Sequence, residues 1–451
     1  MGRQTRLLFG ISLFWLALSA LFDGVNTLVL PVQLSGLSDS SKQATLLGLL
    51  TFFGLLAGAL VQPVAGAFSD KFRPVLGRKG FIGLGVLLSL VSLVLFAALQ
   101  NIFAVMAGYL AIQISASIAQ AGQQGLIPDL VDENRRGLAS GLKGFMDLAG
   151  AMLGFVMLGQ LLGSAGTLPA IGAIAALLVI AYLLAVMLTP EDKPHRGAGV
   201  TAEPLPLRHI FRLDLKQQTA FVRLILARFL FLLGIYGTGR FLLFFVAGRL
   251  GLAANEAAEQ AGSLLAGLAL ITVLASPVTG WLADRLGRVP LMMAGSVLSA
   301  ASALMLVWAG SANQILLFGG LMSLGSAAFA GGSWALLTDL VPRQEPARYF
   351  GLANFSTAGA AAAAGLFGPV IDWAESVSPD MGFSVLFILA AAAFLASALP
   401  VRRSLMKPDG EKNENKGKVR SDASGLAVVF LPADPALLEE DQDSQGGSAR
   451  V

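Results

Sequence analysis

The sequence GAFSDKFRPVLGRK, residues 66–79, separates two long apolar stretches, and a similar sequence, GWLADRLGR, occupies residues 280–288. Each copy has a glycine four positions before an aspartate, a basic residue directly after that aspartate, and a later Gly-Arg pair. The aspartates are 214 positions apart and the Gly-Arg pairs are 210 positions apart, so the first copy is four residues longer. A duplicated polar loop of this kind predicts a chain built from two related halves.

The 210-residue offset also relates other parts of the chain. The sequence IPDLV at residues 127–131 recurs as LTDLV at residues 337–341, and the Gly-Leu pair at 141–142 recurs at 351–352. Chance rarely places three separated features at one offset, so the two halves are predicted to share one fold.

Long apolar stretches fill the sequence between these motifs. Hydrophobic residues make up 55% of the 451 residues and charged residues only 13%, about half the usual charged fraction of a soluble domain. An apolar stretch of about 18 residues or more can cross a membrane as a helix, whereas the strands of a membrane barrel alternate polar and apolar residues. We predict twelve membrane spans, the first to the twelfth, near residues 8–32, 44–68, 80–99, 102–124, 138–163, 167–189, 222–247, 261–283, 290–310, 313–338, 349–371 and 380–400.

Two polar segments divide the chain. Residues 190–220 carry four prolines and both histidines, His195 and His209, which is the composition of a solvated linker. The region after Arg403 is rich in Lys, Glu, Asp, Gly and Ser and is predicted to be disordered. We therefore predict an N-terminal six-helix half, a cytoplasmic central linker, a C-terminal six-helix half and a disordered cytoplasmic tail, at residues 1–189, 190–220, 221–403 and 404–451.

Basic residues collect on one side of the predicted spans. Loops rich in Lys and Arg stay in the cytoplasm, so both termini and the linker are expected to be cytoplasmic, in a plasma (inner) membrane. The other side offers little beyond Lys42 and Arg249. Arg3 and Arg6 also fit a signal peptide, but the following apolar run continues to about residue 34 and favours an uncleaved helix. The basic residues on the expected cytoplasmic side are Arg3, Arg6, Lys71, Arg73, Arg78, Lys79, Arg135, Arg136, Arg208, Arg212, Arg285, Arg288, Arg343, Arg348, Arg402 and Arg403.

The duplicated loop, Gly-x-x-x-Asp-Arg-x-Gly-Arg in its second copy, resembles the cytoplasmic loop motif of the major facilitator superfamily. The resemblance covers essentially residues 8–400 and implies an all-α membrane protein, with twelve transmembrane helices in two pseudo-symmetric six-helix bundles. It also implies a secondary active transporter that moves a small molecule by alternating access. Such a carrier is a monomer among membrane lipids, can be coupled to a proton or cation, and is not an enzyme.

In that family the duplicated loop latches the cytoplasmic gate. The resemblance places Asp70 and Asp284 at the starts of the eleventh and fifth spans, near Arg348 and near Arg135 or Arg136, which favours an outward-open state. The alternative is that these charges only set the topology. The residues expected to form the gate motifs are Gly66, Asp70, Gly77, Arg78, Asp129, Arg135, Arg136, Gly280, Asp284, Arg285, Gly287, Arg288, Asp339 and Arg348.

The longer first copy of the loop resembles the extended loop of the glycoside, pentoside, hexuronide and sucrose transporter branch, which favours a sugar or sugar-like substrate. That branch often carries an acid in its second helix, whereas the second span here offers only Gln62, so cation coupling of that kind is not supported. Two alternatives remain: export of lipophilic compounds or drugs, and a non-transporting role in assembling or binding another membrane protein. The polar cavity residues described next argue against the non-transporting role.

Asp23 and Arg240 are charged residues inside predicted spans. An ionised carboxylate there costs roughly 2.5–3.5 kcal/mol and needs a partner or a function. Asn26 lies one turn after Asp23, and the 214-residue offset places Arg240 of the seventh span where Asn26 lies in the first. Since these two helices line the cavity in the family fold, Asp23 and Arg240 are expected to face each other across it. Arg240 would bind an anionic or polyhydroxyl substrate and Asp23 a coupling proton, the alternative being a static ion pair.

Other polar and aromatic residues are further candidates for the cavity. Asp147 follows Lys143 by four positions and can pair with it or relay protons. Tyr236 lies one turn before Arg240, and either its ring or that of Trp334 could stack on a ligand, although such rings more often serve packing. Asn354 of the eleventh span is a lesser candidate. A polar stripe on one face of the fourth span, suited to a wetted cavity or to bonding between helices, comprises Gln113, Ser117, Gln120 and Gln124.

The sequence argues against several other classes of protein. It has no cysteine, and therefore no disulfide, thiolate metal site or cysteine nucleophile. It has no phosphate-binding P-loop, and no histidine lies in a predicted span, which leaves only weak carboxylate schemes for an intramembrane enzyme. Its net charge of +3 and scattered basic residues give no nucleic-acid surface. We expect neither a metal nor a cofactor.

Overall fold

The computed structural model describes residues 3–98, 101–131, 135–190, 218–341 and 346–402. Within these ranges the chain forms helices and turns and contains no strand. Eleven helices are long and apolar enough to cross a membrane. The second to sixth spans are Gln43–Lys71, Arg73–Ala98, Ile102–Leu130, Arg136–Ser164 and Thr167–Leu188, the eighth to tenth are Ala254–Leu286, Arg288–Leu306 and Ala312–Leu340, and the twelfth is Met381–Arg402.

The other three spans are interrupted helices. The first span joins Arg3–Gly24 to Leu30–Leu37 through the π-helix Val25–Val29. The seventh joins Thr219–Arg240 to Leu242–Leu250 at Phe241. The eleventh joins Pro346–Ala363 to Phe367–Val377 through the 3-10 turn Ala364–Leu366. The eleventh is the predicted span that the eleven long helices do not include. At the 214-residue offset Thr27, inside the π-helix, corresponds to Phe241, so the first and seventh spans are interrupted at equivalent positions. Interruptions of this kind are frequent at functional sites.

Local geometry repeats between the two six-helix bundles. Gly77 and Gly287 both take a positive φ, 64° and 90°, a conformation that favours glycine; Gly287 directly precedes the ninth span, and Gly77 kinks the third span near its start. Asn101 and Ser311 cap the fourth and tenth spans, and each side chain accepts a hydrogen bond from a backbone N–H three residues later. Both pairs are 210 positions apart, so the offset read from the sequence describes a structural pseudo-symmetry.

The predicted span boundaries differ most at the eighth span. This helix begins at Ala254 rather than at residue 261, because the intervening Ala, Glu and Gln residues favour a helix while being too polar to count as an apolar stretch. The predicted linker, with His195 and His209, and the predicted tail lie almost entirely outside the described residues.

The two bundles pack closely against each other towards one end. We call the end that carries the loops at Gly77 and Gly287 the basic end, and the other the opposite end. Towards the opposite end, the backbone of Gly48 in the second span lies against Gly365 in the eleventh, so closely that an added Cβ would overlap it. Gly262 of the eighth span packs in the same way on the fifth. Small residues allow such close approach of membrane helices.

A carboxylate reinforces the contact at the opposite end. Asp372 of the eleventh span accepts a 2.6 Å hydrogen bond at Oδ2 from the backbone N–H of Thr45, in the first turn of the second span. Near the basic end, by contrast, a Cβ added at Gly66, Gly141 or Gly280 would meet no described atom within 4 Å. The bundles are therefore held together at the opposite end and are not in contact at these positions of the basic end.

Candidate functional site

A hydrogen-bonded polar network links the first and fourth spans beside the π-helix. The Asn26 Oδ1 atom accepts hydrogen bonds from Tyr109 Oη at 2.9 Å and from Gln113 Nε2 at 2.7 Å. Gln113 Nε2 also lies 2.9 Å from Tyr109 Oη. Tyr109 is fully buried, and no sequence pattern distinguishes it from the other aromatic residues of the apolar spans. Its role depends on Asn26, 83 positions earlier.

Arg240 adjoins this network at the interruption of the seventh span. Its side chain is only 7% exposed, and it interacts electrostatically with Tyr109 and Tyr236. Its Nη1 atom has no hydrogen-bond partner among the described residues. A buried guanidinium group with an unused donor is unfavourable by itself, so Arg240 is a strong candidate for binding an acceptor group.

Asp23 is in the first span, one turn before Asn26. Its Oδ2 atom accepts a 3.1 Å hydrogen bond from Ser19, and it forms no ion pair with Arg240. The static ion pair between Asp23 and Arg240, which was the alternative to a transport role, is therefore not formed in this conformation. Both charges instead interact with Tyr236, which also interacts with Arg228. The side chains of Asp23 and Tyr236 are both partly accessible.

Asp147 of the fifth span forms the ion pair that its spacing predicts. Its Oδ2 atom lies 3.5 Å from Lys143 Nζ, and that ammonium group lies 4.0 Å from the centre of the Trp15 ring of the first span. Asp147 also interacts electrostatically with Asp23. The pair is thus adjacent to the candidate site, and the charges of Lys143 and Asp147 cancel each other.

The polar stripe of the fourth span divides its contacts between two neighbouring helices. Gln120 accepts a 3.1 Å hydrogen bond from Gln62 of the second span, and Ser117 is buried against the second span. Gln123, which the sequence pattern did not select, donates a hydrogen bond to the Ile11 carbonyl of the first span. Gln124 is exposed. Most of the stripe therefore bonds helices together, while Gln113 and Gln124 remain the candidates for contact with a ligand.

Arg228 of the seventh span is a second buried arginine that the sequence analysis missed. It is 4% exposed, donates a 2.8 Å hydrogen bond from Nη1 to Ser333 Oγ, and lies 4.4 Å from the centre of the Trp334 ring. Trp334 is 44% exposed and is brought to this cation, not to Tyr236. Asn354 is exposed and has no hydrogen bond or ion pair to a described residue, so the structure does not bring it into the network.

The gate motif of the first half forms a set of ion pairs within that half. Arg78 is buried and binds two carboxylates, with Nη2 2.5 Å from Asp70 Oδ1 and Nε 2.9 Å from Asp129 Oδ2. Arg73 Nη1 lies 3.3 Å from the same Asp129 oxygen. Asp70 is therefore paired within its own half. The side chain of Arg348, its expected neighbour, lies outside the described residues.

The second copy of the motif repeats part of this arrangement. Arg288 pairs with Asp339, at the 210-residue offset from Arg78 and Asp129. Asp284 forms no ion pair with the exposed Arg135 or with any other described residue, and Arg285 lies over the Trp281 ring at 4.3 Å. The side chain of Arg136 is outside the described residues. The expected contact between halves at this end is thus absent from the described part of this conformation.

The described residues contain no group of three or more His, Cys, Asp or Glu side chains that could hold a metal ion. The chemistry of the central region is that of two guanidinium groups, one carboxylate, phenols and amides. These groups recognise polar and charged parts of an organic ligand by hydrogen bonds and charge.

Comparison with known proteins gives one family. The chain matches the family model described as Major Facilitator Superfamily over residues 7–258 and 229–438. It is 27% identical over 179 residues to the quinolone resistance protein NorA of Staphylococcus aureus, covering 40% of this chain and 45% of that protein. It is 26% identical over 189 residues to the class B tetracycline resistance protein of Escherichia coli, covering 42% of this chain and 45% of that protein. The chain thus spans less than half the length of these curated relatives.

Solved structures show the same fold at low identity. The nucleoside transporter NupG superposes with a TM-score of 0.68 at 13% identity, covering 89% of this chain and 100% of that one. An inward-facing, unoccupied bacterial homolog of the human lysosomal transporter Spinster superposes with a TM-score of 0.63 at 15% identity, covering 89% and 95%. At these identities the likeness concerns the fold alone.

Proposed function

The chain belongs to the major facilitator superfamily of integral membrane proteins, and from that membership we propose that it is a secondary carrier working by alternating access. The observation that supports this most directly is Arg240, a buried guanidinium group with an unused donor beside the network of Asn26, Tyr109 and Gln113. A static packing role would leave that donor unpaired at a cost. A polar solute that enters the cavity can supply the missing acceptor.

We also infer which end of the protein is cytoplasmic and which conformation the structure represents. With the basic end in the cytoplasm, as the distribution of Lys and Arg predicts, the glycine contacts at Gly48 and Gly262 close the outer end. The structure is then an inward-facing state, and the outward-facing state requires these contacts to separate. In that outward-facing state the gate loops would contact the other half. Asp70 would then lie at the start of the eleventh span and Asp284 at the start of the fifth.

Asp23 is the proposed site of a coupling proton. It is a partly accessible carboxylate inside the first span, and the electrostatic influence of both Asp23 and Arg240 extends to Tyr236. Intramembrane carboxylates commonly serve such relays. Asp23→Asn is expected to bind solute but to lose concentrative uptake in proteoliposomes under a proton gradient. Retention of full concentrative uptake would remove the coupling role.

The leading substrate class is a sugar or sugar-like compound, because Asn26, Tyr109, Gln113 and Arg240 offer hydrogen bonds that suit hydroxyl or acidic groups. Export of a lipophilic compound is the second candidate. It is supported by the partly exposed Trp334 and by the relatives, whose names state resistance to quinolones and to tetracycline. Import or export therefore depends on which class the cavity binds.

Thermal stability of the purified full-length chain separates these candidates. Saturation at 100 times the dissociation constant stabilises a protein by about 2.7 kcal/mol, which is a readily measured shift. A shift with sugars or sugar acids that is lost in Arg240→Gln, but kept in Arg249→Gln, supports the sugar carrier. Arg249 is the matched control because it is in the same span and donates instead to the Val307 carbonyl. A shift with amphipathic drugs alone supports the exporter, and no shift with any compound contradicts both.

A further inference from the structure

Arg228 is a buried charge that belongs to only one of the two halves. The 214-residue offset places it opposite Phe14 of the first span, so it is not required by the repeated fold. It also lies outside the hydrogen-bonded network around Asn26. A buried cation that is present in only one half of a pseudo-symmetric bundle indicates a function specific to that half.

The surroundings of Arg228 leave one edge of its guanidinium group free. Nη1 donates to Ser333, and the ring of Trp334 stacks over the group at 4.4 Å from its central carbon. Nε is buried and has no hydrogen-bond partner among the described residues. The edge formed by Nε and Nη2 has the fork geometry that binds two oxygens of a carboxylate, sulfonate or phosphate.

Trp334 presents its ring towards the interior between the two halves. Successive residues of a helix are separated by about 100°, and three neighbours of Trp334 have assigned directions. Gly331 lies against the eighth span, Gly332 against the ninth, and Ser333 bonds to Arg228 of the seventh. The remaining direction, roughly opposite to the ninth span, is that of Trp334. Its 44% exposure is therefore on the side of the tenth span that is directed towards the seventh and eighth spans.

The charges around Tyr236 do not balance. Tyr236 interacts with Asp23, Arg228 and Arg240, which gives two cations and one anion. The nearby Lys143 and Asp147 form an ion pair and cancel. A region inside a membrane protein that holds one excess positive charge is complementary to an anion.

We propose that Arg228 and Trp334 form a second binding station of the cavity, and that the transported solute is an organic anion with a flat apolar or aromatic part. The acidic group binds the free edge of Arg228 and the flat part stacks on the exposed face of Trp334. Arg240 binds the polar remainder near Asn26. This inference rests on the proposed carrier function and specifies the substrate class of the same cavity.

Two pairs of probes that differ only in charge test the proposal. The first pair is 4-nitrophenyl β-D-glucuronide and 4-nitrophenyl β-D-glucoside, and the second is 2-naphthoate and 2-naphthamide. Dissociation constants are measured by titration calorimetry on the full-length chain in detergent. The wild type is expected to bind the anionic member of at least one pair tenfold or more tightly than its neutral partner. Arg228→Gln is expected to reduce that ratio to less than threefold while still binding the neutral partner.

Further variants distinguish the possible causes of failure. Trp334→Leu, at a partly exposed position, should weaken both members of the preferred pair by about the same factor, and it keeps the test valid if Arg228→Gln does not fold. Arg228→Lys keeps the charge but not the fork, and should retain part of the preference. Arg249→Gln, the matched control, should leave the ratio unchanged.

Three results would overturn the proposal. Equal affinity of the wild type for both members of each pair contradicts a second station at Arg228, and so does an anion preference that survives Arg228→Gln. If Arg240→Gln abolishes binding in either case, the proposed carrier site at Arg240 is still supported. Binding of none of the four probes to the wild type contradicts the substrate class. If Arg240→Gln also leaves unchanged every thermal-stability shift that sugars, sugar acids or drugs cause in the wild type, the proposed function is contradicted as well.

Discussion

Replacing Asp372 by alanine is expected to open the end of the bundle that the structure shows closed. The carboxylate accepts a 2.6 Å hydrogen bond from Thr45 of the other half, at a helix N-terminus that no side chain of the preceding residue caps. Hydrogen bonds to charged groups contribute about 1.5–3 kcal/mol, and the partial exposure of Asp372 places this one near the lower value. About 1.4 kcal/mol is a factor of ten in an equilibrium constant, so the ratio of open to closed molecules should rise roughly tenfold.

The chain contains no cysteine, so one introduced pair can carry spin labels without other substitutions. Gly36 and Ser378 are exposed near the opposite end, one in each half, and are suitable label positions. The distance distribution between the labels, measured by electron double resonance in liposomes, should gain a longer component in Asp372→Ala. Glu375→Ala is the matched control, because that carboxylate bonds to the backbone N–H of Asp380 within its own half. An unchanged distribution in Asp372→Ala, or an equal change in Glu375→Ala, would refute the reasoning.

Three further outcomes are expected. Gly48→Leu should separate the outer ends more strongly than Asp372→Ala, because its side chain would occupy the backbone position of Gly365; the same label distances measure it. Arg78→Gln removes the partner of the largely exposed Asp70, while Asp129 keeps Arg73, and should lower stability by about 1.5–3 kcal/mol, seen as a lower melting temperature in detergent, whereas an unchanged melting temperature would show that the pairs are weak. Tyr109→Phe removes one of two donors to Asn26 and should weaken binding of a polar probe by about 1 kcal/mol, or roughly fivefold, with melting temperature almost unchanged.

The repeated architecture was readable from the sequence because it rests on short-range rules. The glycines at 77 and 287 are placed by backbone conformation, and the caps at 101 and 311 by local hydrogen bonds, so each copy carries its own signal. The apolar spans follow in the same way from the length needed to cross a membrane. Helix ends such as Ala254 were less well predicted, since a helix can continue beyond the apolar stretch that marks it.

The candidate site was only partly readable, because its residues acquire their role from distant partners. Arg228 is surrounded in the sequence by apolar residues, and its environment is made by Ser333 and Trp334, more than 100 positions later. Tyr109 is a similar case. In the sequence it is one of several aromatic residues in apolar helices, and only its hydrogen bond to Asn26 distinguishes it. The offset correctly aligned Asn26 with Arg240, but alignment gives equivalent positions in two halves and not a contact between them.

The two halves are alike where the bundle must move and unlike where a solute would bind. Alternating access exchanges the conformations of two similar units, which explains why the loop glycines and the Arg-Asp pairs at the basic end recur at one offset. At the centre, Phe14 and Asn26 of the first half correspond to Arg228 and Arg240 of the second, and Gln124 corresponds to Trp334. The first half therefore offers neutral hydrogen-bonding groups and the carboxylate of Asp23, and the second offers cations and an aromatic face. If the solute is the proposed organic anion, the second half binds its charged part in both states, so separation of the outer ends should move the first half relative to that anion.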